Sequence, residues 1–450
     1  MDLSKLQHIY FLGIGGIGMS ALARYFVAKG IKVSGYDKTE TPLTNQLQNE
    51  GIKIHFEDNI NLLDEDIDIV IYTPAIPSTH KEFLFFKDNN FTILKRSEVL
   101  GLITQNSIGI GIAGTHGKTT ISTMTSHLLK QSDIDCSAFL GGISKNYQSN
   151  LLLSAKSEYV VIEADEFDRS FLKLEPQIAA ISSIDADHLD IYGDKNELKK
   201  SFEDYIRKLK PNGILIYKKG LDLKIPENIR SFTYSLQQGS DFYADNIRIE
   251  DSAYVFDFYS ENQNIKDIKM LYPGLHNIEN ACLAIAIALL CGVKQDEIKE
   301  AILSFQGVNR RFDVRIKSEK ITYIDDYAHH PEELKACITS VRALYADKKI
   351  TGIFQPHLFS RTRDFANEFA KSLELLDVVV LLDIYPAREL PIEGITSEML
   401  LGKIKNKEKY LLDKSEILNF IDEKSPEVLL TLGAGDIDQL VGLIENKFGI

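Results

Sequence analysis

The sequence predicts an α/β protein of three consecutive layered units. A Rossmann-like domain is expected over residues 1–106, a P-loop ATPase-like domain on a mixed, mostly parallel sheet over 107–309, and a second Rossmann-like domain over 310–450. Three observations lead there. A chain of 450 residues is too long for one hydrophobic core. Strand-like apolar runs alternate with amphipathic helical stretches, and the alternation restarts twice. Two glycine-rich loops, GIGGIG from Gly13 and GTHGKT from Gly114, each follow a strand and open a helix.

The first unit opens with the strand HIYFLGIG, runs through the helix SALARYFVAKG into the strand KVSGYD, and adds βα repeats at DIVIYTPAI and FTILKRSEVLG. The second opens with SIGIGIAG, its loop, and a helix from Thr119 onward. EYVVIEADE, IAAISSID and GILIYKKG read as buried parallel strands because their apolar runs are continuous. Residues 221–272 alternate, as in SAYVFDFYS, and are expected to form an antiparallel elaboration. NIENACLAIAIALLCG is a helix with a glycine stop, and NRRFDVR is expected to be linker. The third unit alternates the strands KITYIDDY, KITGIFQPH, DVVVLLDIY, KYLLD and EVLLTLGAG with four helical stretches, and DIDQLVGLIENKF closes the chain.

Composition narrows the function. A net charge of −14 without a long Lys/Arg block argues against a polynucleotide partner. No apolar run reaches the ~18 residues of a membrane helix, and the N-terminal sequence lacks a signal-peptide pattern. Cys136, Cys282, Cys291 and Cys337 are scattered without CxxC pairs, against a zinc site or a disulfide framework. A cytoplasmic protein is expected.

Gly114, Thr115, His116, Gly117, Lys118, Thr119 and Thr120 form a phosphate-binding loop and the start of its helix. Backbone N–H groups at a helix N-terminus hold phosphate oxygens, the lysine adds a point charge, and the next hydroxyl can bind Mg²⁺. The full Walker spacing fails, since Ile112 stands where the first glycine belongs. Glu163, Asp165, Glu166 and Asp168 end a parallel strand where metal ligands for such a loop are expected. His188, with Asp187 and Asp190, ends the next strand as a second candidate metal group. Gly13, Gly15 and Gly18, with Gly16 and Ile17 between them, fit a dinucleotide fingerprint, and Asp37 ends the second strand. That loop suits NAD or any other diphosphate, including a UDP-sugar. In the third unit Asp325, Asp326, Tyr327, His329 and His330 crowd one strand end, and His357, Arg361 and Arg363 another. Arginine there suits a carboxylate, such as that of an amino acid.

The ordered set GIGGIGMS, AGTHGKTT, EADEFDRSF, DADHLDIY, HNIENA, GVNRRFD, DDYAHHP, QPHLFSRTRDF and YPARE spans nearly the whole chain and closely resembles the Mur ligases of peptidoglycan synthesis. The resemblance is strongest to members that add L-alanine to UDP-N-acetylmuramate. It implies an ATP-dependent amide-forming enzyme, with Mg²⁺ or Mn²⁺, acting as a monomer or homodimer on small molecules. The first glycine loop and Asp37 would then hold the UDP-sugar without any NAD. The resemblance assigns Lys118 and Thr119 to triphosphate and metal, Glu163 and His188 to metal, and Asn280, Arg311 and Asp326 to the nucleotide. It assigns Tyr327, His329, His357 and Arg361 to the amino acid, with Lys118, Arg311 and His329 catalytic and His329 the candidate base. Two departures stand out. Leu358 follows His357 where relatives often carry a basic residue. Glu203 falls near the place where some relatives carry a carbamylated lysine, so no carbamate is expected. Three alternatives remain open from the residues: a ligase adding the L-Ala-D-Glu-diaminopimelate tripeptide to the same sugar, an NAD-dependent oxidoreductase, and a nucleotide-gated binding or switch protein.

Overall fold

The computed structural model describes residues 3–105, 107–185, 192, 194–251, 253–387 and 389–449. Three sheets follow one another along the chain. The first two belong to one compact unit and the third to another.

The first sheet contains β1 (His8–Leu12), β2 (Lys32–Tyr36), β3 (Lys53–His55), β4 (Ile69–Tyr72) and β5 (Thr92–Lys95), in the order β3-β2-β1-β4-β5. All its pairs are parallel. The order reverses between β1 and β4, and the crevice at such a switch point is where open α/β sheets bind ligands. The first glycine loop leaves β1 there and opens α1 (Ile17–Ala28). The helix α2 (Pro42–Asn49) and strand β3 lie in stretches where no element was expected, and α3 (Lys81–Asp88) is the helix of the βα repeat expected at DIVIYTPAI. The last helix of this sheet, α4 (Arg96–Gln105), starts directly after β5.

The second sheet has ten strands, in the order β15-β14-β13-β12-β11-β10-β6-β9-β7-β8. They are β6 (Ile108–Ala113), β7 (Ser137–Ser144), β8 (Ser149–Leu152), β9 (Tyr159–Glu163), β10 (Ile178–Ile181), β11 (Ile214–Lys218), β12 (Arg230–Ser235), β13 (Phe242–Glu250), β14 (Ala253–Ser260) and β15 (Asn264–Met270). β6 is flanked in parallel by β9 and β10, so the phosphate loop leaves it between two strand ends before α5 (Lys118–Lys130). The expected antiparallel elaboration is only partly so. β12 and β13 extend the sheet in parallel, and β14 with β15 is antiparallel. The β7–β8 hairpin is a further addition to the expected strands.

The third sheet runs β16-β17-β21-β18-β19-β20, with β16 (Asp313–Lys317), β17 (Thr322–Asp326), β18 (Ile350–Phe354), β19 (Val378–Leu381), β20 (Glu408–Leu411) and β21 (Val428–Leu432). β16 is antiparallel and the rest parallel. The stretch read as linker therefore leads straight into an edge strand, because Val314 and Ile316 face partners on β17. The four cysteines are buried free thiols. No helix among the described residues is long and apolar enough to cross a membrane.

One apolar core spans the first two sheets, joining Ile9, Phe11 and Phe26 to Phe139, Phe171 and Phe202. At its centre Phe171 stacks on Tyr205 at 4.9 Å and meets Phe202 edge-on at 5.2 Å, all three shielded from solvent. Phe171→Ala should lower stability by about 3–5 kcal/mol through lost contacts and a residual cavity. Chemical denaturation will show this as an earlier midpoint, while Leu390→Ala, at a side chain 84% exposed, should leave the midpoint in place.

Candidate active site

The loop from Gly114 is shaped by its glycines and by the end of β10. Gly117 has φ +82 and Gly114 φ +135, conformations that a side chain resists. A Cβ on Gly114 would also lie 2.1 Å from Ser182 Oγ. The end of β10 stitches the loop in place. Ser183 Oγ accepts the His116 N–H at 2.8 Å and bonds Thr115 Oγ1 at 2.9 Å, Ser182 Oγ donates to the His116 carbonyl at 2.5 Å, and Thr115 Oγ1 accepts the Asp185 N–H at 3.0 Å. His116 Nε2 stands 3.5 Å from Asp185. Asn280, on the helix Leu275–Leu290, faces the loop, its Oδ1 lying 2.9 Å from where a Gly117 Cβ would be.

Lys118 Nζ donates to the Gly114 carbonyl at 2.7 Å and to Glu166 at 2.8 Å. Glu166 is fully buried. Burial favours the neutral form of the lysine, but Glu166, Asp165 and Glu163 outweigh it and hold the ammonium charged well above its usual range. Thr119, buried on the first turn of α5 beside Thr120, donates from Oγ1 to Glu163 Oε1 at 3.1 Å. Two of the three expected metal ligands, Thr119 and Glu163, are thus adjacent. His188, Asp187 and Asp190 lie outside the described residues, as does the side chain of Asp168.

The other glycine loop divides its work. Gly13 (φ +84) donates to the Tyr36 carbonyl at 2.8 Å, and Gly15 N–H donates to Asp37 Oδ2 at 2.7 Å. Asp37 therefore shapes the loop from within. Gly16, Ile17 and Gly18 line a cleft of about 250 Å³ whose other walls include Thr73, Arg96, Gly141, Glu163 and Asp165. Both loops thus converge on Glu163, one directly and the other across this cleft. Arg96 is the cation lining it among the described residues, 3.8 Å from Asp165 and packed where a Gly18 Cβ would be. Sequence reasoning passed over Arg96, although an arginine opening the helix after β5, beside the switch point, was a readable signal. Gly141 was missed too. A Cβ there would lie 2.1 Å from Glu163 Oε2, so only glycine leaves that carboxylate its place.

In the third sheet's unit, β17 and β18 end in the predicted clusters. Asp326 is spent on the chain itself: its oxygens accept the Phe312 N–H at 2.6 Å and the Ala328 N–H at 2.8 Å, and burial raises its pKa to about 6. Arg311 lies over the Tyr327 ring at 5.0 Å and 3.5 Å from Glu333. Arg361 is buried on the helix Phe359–Asp364. His357 stacks on Tyr385 at 5.7 Å and meets His329 edge-on at 5.9 Å. Glu389, in the YPARE stretch, accepts the Ser360 N–H at 2.9 Å and the Ser360 hydroxyl, placing a carboxylate at the N-terminus of the helix that carries Arg361. Leu358 takes φ +71 and ψ 135, a conformation costing a branched side chain on the order of 1–3 kcal/mol, and its N–H donates to the Tyr385 carbonyl.

His329 Nδ1 lies 3.0 Å from the Tyr327 carbonyl, which fixes it as the protonated nitrogen. Burial lowers the ring's pKa to about 4, with Arg361 and Arg311 adding to the effect and Glu333 opposing it. A ring so hard to protonate is a weak acceptor for an ammonium proton. Glu203 accepts the Lys224 N–H at 3.1 Å.

Family models agree with this geometry. The Mur ligase family catalytic domain matches residues 8–107, the Mur ligase middle domain 112–288, and the Mur ligase glutamate ligase domain 310–435. The chain belongs to the Mur ligase family. It is a ligase that forms carbon–nitrogen bonds using ATP. A UDP-N-acetylmuramate–L-alanine ligase from Phocaeicola vulgatus is 52% identical, over 99% of this chain and 100% of the relative. The crystal structure of a UDP-N-acetylmuramate-alanine ligase from Thermotoga maritima matches with a TM-score of 0.84 at 27% identity, covering 98% of this chain and 99% of that one. A murein peptide ligase from Psychrobacter arcticus matches in fold, with a TM-score of 0.69 at 23% identity over 97% and 98% of the two chains.

Two outcomes test this Mur ligase site. Gly141→Ala should displace Glu163 and reduce turnover about 10²-fold, the order expected for a 1 Å misplacement, with circular dichroism unchanged. The His329 ring should stay neutral in NMR titration down to about pH 5. Its folded pKa lies below the unfolded value of about 6.5, so its neutral form stabilises fully above pH 6.5. That contribution is lost as pH falls toward 4.

Proposed function

We propose that this enzyme joins L-alanine to the lactyl carboxylate of UDP-N-acetylmuramate while converting ATP to ADP and phosphate. The observation that carries the reading is the cleft shared by the first glycine loop, Arg96 and Glu163, with Glu163 bonded to Thr119 of the phosphate loop. A diphosphate on that glycine loop and a triphosphate on the other direct their reacting ends to the same carboxylate. The identity of the full-length relatives named for this activity supports the choice of acceptor.

The chemistry follows from the parts. A lactyl carboxylate oxygen attacks the γ-phosphorus, the bond to the β-phosphate oxygen breaks, and ADP leaves. The amine of L-alanine then attacks the acyl carbon and loses its proton as phosphate departs. Carboxylate is a poor electrophile because its leaving group would be oxide, and phosphorylation supplies a good one. Lys118, held charged, stabilises the transferring phosphoryl group. Gly16 to Gly18 at the start of α1 receive the diphosphate, and Arg96 neutralises an anionic group of the sugar nucleotide. Arg361 receives the amino-acid carboxylate, with Tyr327, His329 and His357 walling the pocket. Asn280 and Arg311 act on the nucleotide, as does Asp326 through the chain segment it anchors. The Thr119 and Glu163 oxygens, 3.1 Å apart, are hard donors that fit Mg²⁺ or Mn²⁺, and His188 completes the proposed set. When bound, the metal supplies charge neutralisation at the phosphates. The working divisions are 1–106 for the sugar nucleotide, 107–309 for ATP and 310–450 for the amino acid, in a cytoplasmic monomer or homodimer.

Phosphate release from MgATP and UDP-N-acetylmuramate should depend on L-alanine, with the alanyl product confirmed by mass. Dependence on the L-Ala-D-Glu-diaminopimelate tripeptide instead would reassign the acceptor. Release indifferent to both sugar and acceptor would refute the ligase reading. Lys118→Ala should abolish turnover in a folded protein. Arg96→Ala should raise KM for the sugar nucleotide at least 10-fold and leave KM for ATP nearly unchanged, in line with loss of a charge-assisted contact.

A further inference from the structure

The proposed reaction joins groups held by two different sheets. Its rate depends on how firmly the helix behind the sugar-nucleotide loop is set against the sheet that carries the phosphate loop. That helix is α1, and it lies on the β7–β8 hairpin, with Tyr25 against Phe139 at 5.4 Å. Apolar packing of this kind is non-directional and specifies the axial place of a helix less sharply than hydrogen bonds do.

One buried polar side chain of the hairpin removes that freedom. Asn150, at the start of β8, has no exposed surface. Its Nδ2 donates to the Ile17 carbonyl at 2.5 Å and to Ser20 Oγ at 2.9 Å. Its Oδ1 accepts from Arg24 Nη1 at 2.6 Å, and Arg24 in turn pairs through Nε and Nη2 with both oxygens of Glu50 at 2.8 Å. The amide's donors and its acceptor are thus all engaged, on two successive turns of α1. Ile17 and Ser20 form the first turn, directly after Gly16. Ile17 also lines the cleft that Glu163 closes.

We propose that Asn150 is a positioning residue for the ligase reaction. It fixes the axial place of α1, and with it the sugar-nucleotide loop, relative to the phosphate loop, without touching either substrate. A leucine of similar volume would fill the same space but leave Ser20 Oγ and Arg24 Nη1 without this partner, at a cost in stability. What leucine lacks is direction. The three hydrogen bonds specify one register of helix on hairpin, and a shift of about 1 Å between reacting groups is enough to cost turnover some 10²-fold.

The inference rests on the proposed function, and the test separates the two. Asn150→Leu and the isosteric Asn150→Asp, which loses the donors to Ile17 and Ser20, are compared with wild type. Calorimetry gives Kd for UDP-N-acetylmuramate and for a non-hydrolysable ATP analogue, and steady-state assays give kcat. The expected result is a kcat at least 10-fold lower with both Kd values within about 2-fold of wild type and the calorimetric stoichiometry unchanged, since simple loss of folded protein lowers kcat and stoichiometry together. Unchanged kcat in either folded variant would overturn the proposal. So would a fall in kcat matched by an equal loss of sugar-nucleotide affinity, which would make Asn150 part of the binding surface. A wild-type enzyme that forms no product with any acceptor is instead a failure of the proposed reaction.

Discussion

The site depends on one buried charge pair. Lys118 must be cationic to act on phosphate, yet it lies in a largely enclosed position where an isolated ammonium would be strongly penalised. Glu166, fully buried and 2.8 Å away, makes that position tenable. Removing one member of such a pair typically costs about 3–5 kcal/mol, because the other is left uncompensated. The pair is why a cationic lysine can stand in this loop.

The rest of the loop follows the same logic of groups satisfied in advance. Ser182 and Ser183 bond the loop's hydroxyl, N–H and carbonyl groups, leaving the helix N-terminus to face the ligand. The pocket around Arg361 is arranged otherwise. Its histidine is kept neutral, its arginine lies on a short helix with Glu389 at the N-terminus, and its loop carries a strained Leu358 backbone. A neutral imidazole beside a buried arginine avoids the repulsion that a protonated ring would bring.

The chain's local chemistry was readable from sequence, and its long-range pairings were not. Both glycine loops, the acids after β9, the proline-started helix at Pro331 and the parallel strands of the third sheet follow from residue types at short spacings. Partners far apart in sequence leave no periodic trace. Ser183 meeting His116, Arg96 filling the space over Gly18 and Gly141 yielding to Glu163 are set by tertiary fit. The β7–β8 hairpin escaped notice because SAFLGGIS is interrupted by paired glycines, which read as loop. β12 and β13 were misjudged because alternating sequence marks a half-exposed face and says nothing of strand direction. The surroundings that lower the His329 pKa come from elements the sequence does not juxtapose.

The hairpin under α1 also orders events in time. Everything that α1 needs from its own sheet is complete by about residue 95, but Phe139 and Asn150, which cover Tyr25 and Arg24, come later in the chain. At typical synthesis rates of about 5–20 residues per second, the first sheet spends several seconds on the ribosome with one flank of α1 bare. For that interval the flank of α1 that carries Tyr25 and Arg24 lacks the cover that Phe139 and Asn150 later give it.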